Sequence, residues 1–355
     1  MCTPRSPAEN NPELVHGIGP FQISDGTVEK FDTLSFTEAF SNMIVDKASQ
    51  NDKIVCVTAA MAKGTGLTGF SHKYPERFFD VGIAEEHAVT FAGGIARGGL
   101  IPVVCIYSTF IQRSVDQMIH DIALQKSHVI FMLDRSGAVP DDGVTHQGIF
   151  DIALFRVIPN IQIMCPVSQK DLEICFDYAL NQKDACVIRY PKLSCPSELS
   201  QFESPAEQGR GIFVPCSELV VGNISEKSLE KIKKKVLIVC TGGMFPEVKV
   251  AVRSIILNNG YADIYLLRFV KPFDEEYFIK LSKKYDGIVF VEDGVITGGI
   301  SEYINSILFK HKYFNTKILA FEDKFFEHGN RSEILEDAGL SSVHIEKAVK
   351  EVLHA

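Results

Sequence analysis

No apolar run in this 355-residue sequence approaches the roughly 18–20 residues needed to span a bilayer, so a membrane protein is not expected. Basic residues are not in excess. Lys and Arg number 36 against 45 Asp and Glu, a formal net charge of -9. That balance excludes nucleic acid as an expected partner, because phosphate binding wants a basic face. Cys-x-x-Cys pairs are absent too. The nine cysteines (2, 56, 105, 165, 175, 186, 195, 216 and 240) are scattered, several inside strand-like runs such as Val55-Cys56-Val57. They read as buried free thiols in a reducing compartment, neither disulfides nor metal ligands. The N-terminus lacks the apolar core of a signal peptide, and a cytoplasmic protein is the expectation. There is no repeat and no low-complexity tract.

What is present points to two α/β domains, since the length exceeds one typical core. Residues 1–30 are polar and rich in Pro, Gly and Asn, and read as an extended arm. From 31 to 191, apolar strands (Ile54-Val57, Phe78-Ile83, Ile101-Ile106, Val129-Leu133, Ile161-Cys165, Ala185-Arg189) alternate with helical patterns (Phe36-Ala48, Glu86-Arg97, Phe110-Leu124, Gln169-Leu180). Such alternation predicts a doubly wound, mostly parallel sheet. Residues 192–234 lose the pattern and read as a linker. A second α/β unit, 235–355, follows with strands at Val236-Val239, Asp263-Leu267, Ile288-Glu292 and Lys317-Phe321.

Chemistry-bearing residues gather where predicted strands end. The run Phe78-Ile83 leads into Glu85-Glu86 and then a small-residue helix, placing an acid at the carboxyl end of a strand, where open α/β sheets build their crevices. Tyr107, Phe110 and Arg113 follow the strand 101–106; an arginine there needs a carboxylate, phosphate or water for its donors. Arg135, Asp141, Asp142 and His146 follow the strand 129–133, and Arg189-Tyr-Pro-Lys192 ends another. Gly64-Thr-Gly-Leu-Thr-Gly69 matches Gly-x-Gly-x-x-Gly, but Phe70-Ser-His-Lys-Tyr-Pro75 cannot supply the phosphate-holding helix, so the segment reads as a flexible loop. Ser24-Asp-Gly26 with Asn51, and Asp141-Asp142-Gly143, faintly echo a magnesium-diphosphate motif. Neither has its strand-and-helix context, and no metal site is expected.

These segments resemble 1-deoxy-D-xylulose-5-phosphate synthase, a thiamine-diphosphate family of the transketolase superfamily. The similarity rests on Phe79-Asp-Val-Gly-Ile-Ala-Glu85 with His87-Ala-Val-Thr-Phe-Ala, on Ile106-Tyr-Ser-Thr-Phe-Ile-Gln-Arg113 and on Asp142-Gly-Val-Thr-His-Gln-Gly148. Arg268-Phe-Val-Lys-Pro-Phe273, Val291-Glu-Asp-Gly-Val295 and Glu327-His-Gly329 extend it to the C-terminus. It implies a pyrimidine-binding module of the thiamine diphosphate-binding fold followed by a transketolase C-terminal-like domain. The implied reaction condenses pyruvate with D-glyceraldehyde 3-phosphate and releases carbon dioxide.

By the same resemblance, Glu85 would hydrogen-bond N1′ of the cofactor's aminopyrimidine, and Phe110 would stack on that ring. Tyr107 would lie beside it. Tyr107, Arg113, Arg135, Asp142, His146 and His16 match substrate-side positions, with His16 and His146 next to the reacting groups. Lys192 stands where the family shows a second phosphate-binding arginine; it keeps the charge and loses the bidentate fork. The resemblance begins at residue 6 or 7, after the family's diphosphate-binding domain, which carries the magnesium ligands. It therefore implies a homodimer or a hetero-oligomer with a separate diphosphate-binding half. A split transketolase, a 2-oxo-acid dehydrogenase beta-type subunit and a non-catalytic remnant or interaction protein are the competing readings.

Overall fold

Every apolar run read as a strand contains one in the computed structural model, which describes residues 33–140, 142–220, 229 and 231–354, although the run Phe78-Ile83 is a strand only over Phe78–Asp80. The 1–30 arm, His16, Ser24-Asp-Gly26 and Asp141 lie outside the described residues. The first six strands are β1 (Ile54–Thr58), β2 (Phe78–Asp80), β3 (Ile101–Tyr107), β4 (Ile130–Asp134), β5 (Ile161–Met164) and β6 (Ala185–Arg189). The rest are β7 (Ile212–Val214), β8 (Val236–Cys240), β9 (Ala262–Leu266), β10 (Phe269–Lys271), β11 (Gly287–Val295) and β12 (Thr316–Phe321). Strands β1, β4, β6 and β8 are buried along their whole length, the signature of parallel strands covered on both faces.

Two sheets result, both within the unit formed by residues 35–355. The first has seven strands in the order β10-β5-β6-β4-β3-β1-β2, and the second has five in the order β12-β11-β8-β9-β7. All pairings are parallel except β10 with β5 and β7 with β9. One hydrophobic cluster runs from Val104, Phe131 and Val187 of the first sheet through Ile152 and Phe155 to Phe290 of the second and to Ile300 and Ile304 of the helix Ile300–Lys310.

Four local expectations need correction. The predicted helix 110–124 is broken into an α-turn Ser108–Ile111, a 3-10 turn Gln112–Ser114, an α-turn Val115–Gln117 and a π-turn Met118–Ala123. The π-turn brings the Asp121 carbonyl so close to the helix Glu85–Arg97 that a Cβ at Gly93 would lie 3.1 Å from it. The stretch Phe70–Pro75, read as unable to supply a helix, joins a short one, Thr68–Lys73, pinned by fully buried Phe70 against Tyr74, whereas Gly64–Gly66 before it is a turn. The segment read as a linker contributes β7 to the second sheet and Phe202 to its core. Finally, β10 crosses over to the first sheet, Phe269 opposite Met164 and Lys271 opposite Ile163. Both missed strands have only three residues, too few for a pattern of period two to show.

Buried ion pairs join the two sheets. Arg189 on β6 donates to Asp151 Oδ2 at 2.8 Å and to Asp293 Oδ1, on β11, at 2.6 Å. Arg268, just before β10, donates to Asp171 Oδ1 at 2.6 Å and to the carbonyls of Phe202 and Pro205. Breaking such a pair strands a buried charge and costs about 3–5 kcal/mol. Arg268→Met should therefore lower stability in urea unfolding by about that much. Lys47→Met, which breaks the exposed pair with Asp177, should stay within about 0.5 kcal/mol.

Burial alone would raise the Asp293 carboxyl, but the Arg189 guanidinium, its hydrogen bond and that of Thr241 outweigh burial and hold it below the usual carboxylate range. A depressed folded pKa stabilises above the unfolded value of about 3.9, and the contribution is lost as pH falls through the folded value. Asp293→Asn should lose stability at pH 7. Its decline below about pH 4 should also be shallower than the parent's in an acid titration followed by circular dichroism.

Candidate active site

Strands β6, β4, β3, β1 and β2 are consecutive parallel neighbours, so their carboxyl ends share one sheet edge. The loop bearing Gly64 follows β1, Glu85 follows β2, and Tyr107 and Phe110 lie at the end of β3. Asp134 and Arg135 end β4, and Lys192 follows β6.

The Glu85 turn is shaped by Asp80. Its Oδ1 accepts from the Ala60 amide at 2.7 Å and the Gly82 amide at 3.0 Å, and Gly82 takes φ +73 to reverse the chain. The helix Glu85–Arg97 then starts with two carboxylates in its first turn, where they suit the positive end of the helix dipole. Glu85 is 2% exposed, whereas Ile83 beside it is 81% exposed. Among the described residues one donor meets the buried carboxylate: Arg113 Nη1 lies 2.5 Å from Glu85 Oε1.

Arg113 also links Glu85 to an aromatic platform. Its guanidinium sits 5.0 Å over the Phe110 ring. Tyr107 stacks near Phe110 at 5.8 Å between centroids, and His146 meets Phe110 edge-on at 5.2 Å. Arg135 lies 3.8 Å over Tyr107 and donates to the Gly64 carbonyl at 2.8 Å. A Cβ at Gly64 would stand 1.6 Å from the Tyr107 hydroxyl. The glycine motif is thus a wall for Tyr107 and Arg135.

The loop 135–148 is closed at its base by reciprocal backbone bonds between Gly137 and Gly148, at 2.7 and 2.9 Å. Above them the Gln147 amide accepts from the Val139 N–H and donates to the Val139 carbonyl. Thr109 donates to the Thr145 carbonyl at 2.8 Å, setting His146 beside Phe110. At the tip, Lys192 Nζ pairs with Asp142 Oδ2 at 2.8 Å, both about a third exposed.

The structure thus brings Glu85, Arg113, Phe110, Tyr107, His146 and Arg135 into one chain of contacts, with Asp142 and Lys192 as a separate pair. The sequence reading gave no role to Thr37, Asp134 or Gln147, and weighed Gly64 only as part of a phosphate-loop match. Asp134 had a signal: it is the last residue of a wholly buried strand, and a carboxylate there needs partners.

Fully buried Asp134 accepts from Thr37 Oγ1 at 2.6 Å. Its Oδ1 lies 3.2 Å from Arg135 Nη1, close enough for an ion pair but not aligned as a hydrogen bond. Burial pushes its carboxyl up to about 6, outweighing the Arg135 charge and the Thr37 bond. An acid whose folded pKa exceeds its unfolded one binds its proton more tightly when folded. Its contribution to stability therefore falls as pH rises from about 4 to about 6. Asp134→Asn removes that titration. The stability of parent minus variant, from urea midpoints, should decline across that interval and stay flat above it.

The family model "Transketolase, pyrimidine binding domain" matches residues 32–197, and "Transketolase, C-terminal domain" matches 227–345. The chain is 50% identical over 339 residues to 1-deoxy-D-xylulose-5-phosphate synthase of Treponema pallidum (strain Nichols), covering 95% of this chain and 52% of that protein. It is 38% identical over 354 residues to the synthase of Clostridium perfringens (strain 13 / Type A), covering 98% of this chain and 54% of that protein. The chain therefore spans about half the length of the curated relatives it matches. A solved structure titled "Split gene transketolase, inactive beta4 tetramer" shares its fold with a TM-score of 0.75 at 23% identity, covering 91% of this chain and 99% of that one. The chain thus belongs to the transketolase family, with that family's pyrimidine-binding and C-terminal domains.

Proposed function

We propose that the chain is the pyrimidine-binding part of a thiamine-diphosphate-dependent synthase that makes 1-deoxy-D-xylulose 5-phosphate and carbon dioxide from pyruvate and D-glyceraldehyde 3-phosphate. The observation that carries this reading is the contact between buried Glu85, Arg113 and Phe110. The Arg113 guanidinium is a flat group that donates to Glu85 and lies over the Phe110 ring. A flat, donating heterocycle finds the same two partners there, so the residues fit an aminopyrimidine. Glu85 would hold its N1′, and Phe110 and Tyr107 would support its face. When bound, the cofactor supplies a thiazolium that stabilises negative charge on the carbon taken from pyruvate.

The substrate end lies toward the 135–148 loop. Arg135 and Lys192 offer positive charge for the phosphate of the aldehyde, and Asp142 and His146 offer groups for its hydroxyl and carbonyl oxygens. A phosphate arriving at Lys192 competes with Asp142, its partner in the present arrangement. This loop favours the synthase over a transketolase or a 2-oxo-acid dehydrogenase beta-type subunit. His16 belongs to the same proposal through the resemblance alone.

The diphosphate and its magnesium fall to a second half of the site. Among the described residues, no group of three or more His, Cys, Asp or Glu could hold a metal ion. No helix among them is long and apolar enough to cross a membrane. Around the Glu85 turn, Phe79 and Ile83 are exposed together with Glu86 and His87. An apolar rim next to a buried acid suits a protein partner, either a diphosphate-binding half or a second copy of this chain.

The test combines the chain with a diphosphate-binding half from a relative, thiamine diphosphate, magnesium and both substrates. Deoxyxylulose phosphate should form, and Glu85→Ala should lower turnover by about 100-fold or more. Product from a ketose donor in place of pyruvate would favour the transketolase reading. No product with a well-folded partner half, together with no cofactor binding in calorimetry, would sink the enzymatic proposal.

A further inference from the structure

We infer that Arg331, in the C-terminal domain, is a positioning residue for the loop that carries Asp142 and His146. Arg331 opens the helix Arg331–Asp337 and reaches back across the domain boundary. Its Nη1 donates to the Ala138 carbonyl at 3.2 Å, and its Nη2 to the Gly243 carbonyl at 2.8 Å. Ala138 sits between Gly137, one partner of the loop-closing pair, and Val139, the partner of Gln147. One guanidinium therefore fastens the neck of the loop to the turn after β8.

Neighbouring groups hold the neck from the same side. Asp293, paired with Arg189, lies so close beneath it that a Cβ at Gly137 or Gly243 would stand 2.7 or 2.2 Å from Asp293 Oδ2. Nearer the tip, a Cβ at Gly143 would be 3.9 Å from His328 Cβ. The helix beginning at Arg331 does not depend on that side chain to form. Asn330 and Glu333 make a reciprocal capping box, and Ile334 and Leu335 are buried. The Arg331 guanidinium is thus available to the loop: Nη1 and Nη2 donate to two carbonyls outside its own helix, Nη2 also lies 3.8 Å from Met244 Sδ, and Nε lies 3.9 Å from Glu247 Oε1.

Loop-borne groups act on a substrate only if held within a fraction of an ångström of the productive place. The loop's own bonds close its base and Thr109 holds the Thr145 carbonyl beside Phe110, which leaves the Ala138 neck to be fastened from outside the first domain. Arg331 supplies that fixture from the second domain, so the C-terminal domain sets the position of substrate-side groups without contributing a reacting one.

The full chain, as parent, Arg331→Lys and Arg331→Met, is compared by hydrogen exchange read on peptides spanning 136–149, with β8 and β11 as internal controls. Exchange in 136–149 should quicken by about tenfold or more in Arg331→Met and by less in Arg331→Lys, while β8 and β11 keep the parent rates. Unchanged exchange in 136–149, or equal acceleration in the control strands, overturns the inference. Should Arg331→Met fail to fold, Arg331→Lys carries the same comparison.

The catalytic consequence rests on the synthase reading. In the reconstituted enzyme, Arg331→Lys should raise KM for D-glyceraldehyde 3-phosphate about tenfold while KM for pyruvate holds. Equal KM values in parent and variant would overturn that consequence. An inactive parent would count against the synthase reading alone and leave the exchange result standing.

Discussion

The relation between the two sheets depends on Arg189. Its guanidinium is 2% exposed and meets one carboxylate from each side, Asp151 in the first domain and Asp293 in the second. A buried triad of this kind is weak evidence for stability, because three desolvated charges repay their transfer only when every donor and acceptor is matched. Among the described residues, Arg189 Nη2 and Asp293 Oδ2 have no hydrogen-bond partner. Its value lies in registry: one placement of β11 against β6 satisfies the charges, and a shifted one would strand them. Gly137 and Gly243 make the close approach possible, since each lacks the carbon that would strike Asp293.

From Arg189 the constraint passes directly to the site. The next residue, Tyr190, donates to the Leu133 carbonyl and accepts from the Ser136 amide, so β6 and the start of the 135–148 loop are stitched together past the end of β4. Between those two bonds Arg135 is held at φ 63, a left-handed conformation that a bulky residue adopts only when its surroundings over-determine it. The surroundings here are the Gly64 carbonyl, the Tyr107 ring and the Asp134 charge. Held in this conformation, Arg135 sets its guanidinium over the Tyr107 ring of the platform.

Much of this was legible in the sequence for a simple reason. Wholly buried parallel strands write themselves as short, largely apolar runs, so every long strand and its carboxyl end could be located. Glu85, Phe110 and Arg135 could be placed on that edge without coordinates. Features that depend on partners distant in sequence stayed hidden. The three-residue β7 and β10 have no periodicity of their own and exist only because β9 and β5 offer open edges. The π-turn at 118–123 answers to Gly93, some 25 residues upstream. Gly64 advertised a phosphate loop by its spacing, whereas its real constraint is a tyrosine hydroxyl contributed by another strand.

The same distinction explains why the second domain retains family motifs without offering an obvious reacting group. In Val291-Glu-Asp-Gly-Val295, Glu292 accepts from the amides of Ile300 and Ser301 and so caps a helix, and Asp293 takes Arg189. In Arg268-Phe-Val-Lys-Pro-Phe273, Arg268 takes Asp171, and Lys271 donates to the carbonyls of Arg156 and Ile158. Each charged side chain of these two motifs is consumed within the protein: Asp293, Arg268 and Lys271 bond to first-domain groups, and Glu292 caps a helix of its own domain. A motif can therefore be specific to a family and still carry no chemistry. Its work is to hold one sheet at a fixed angle to another, so that a loop rooted in the first domain can be gripped from the second.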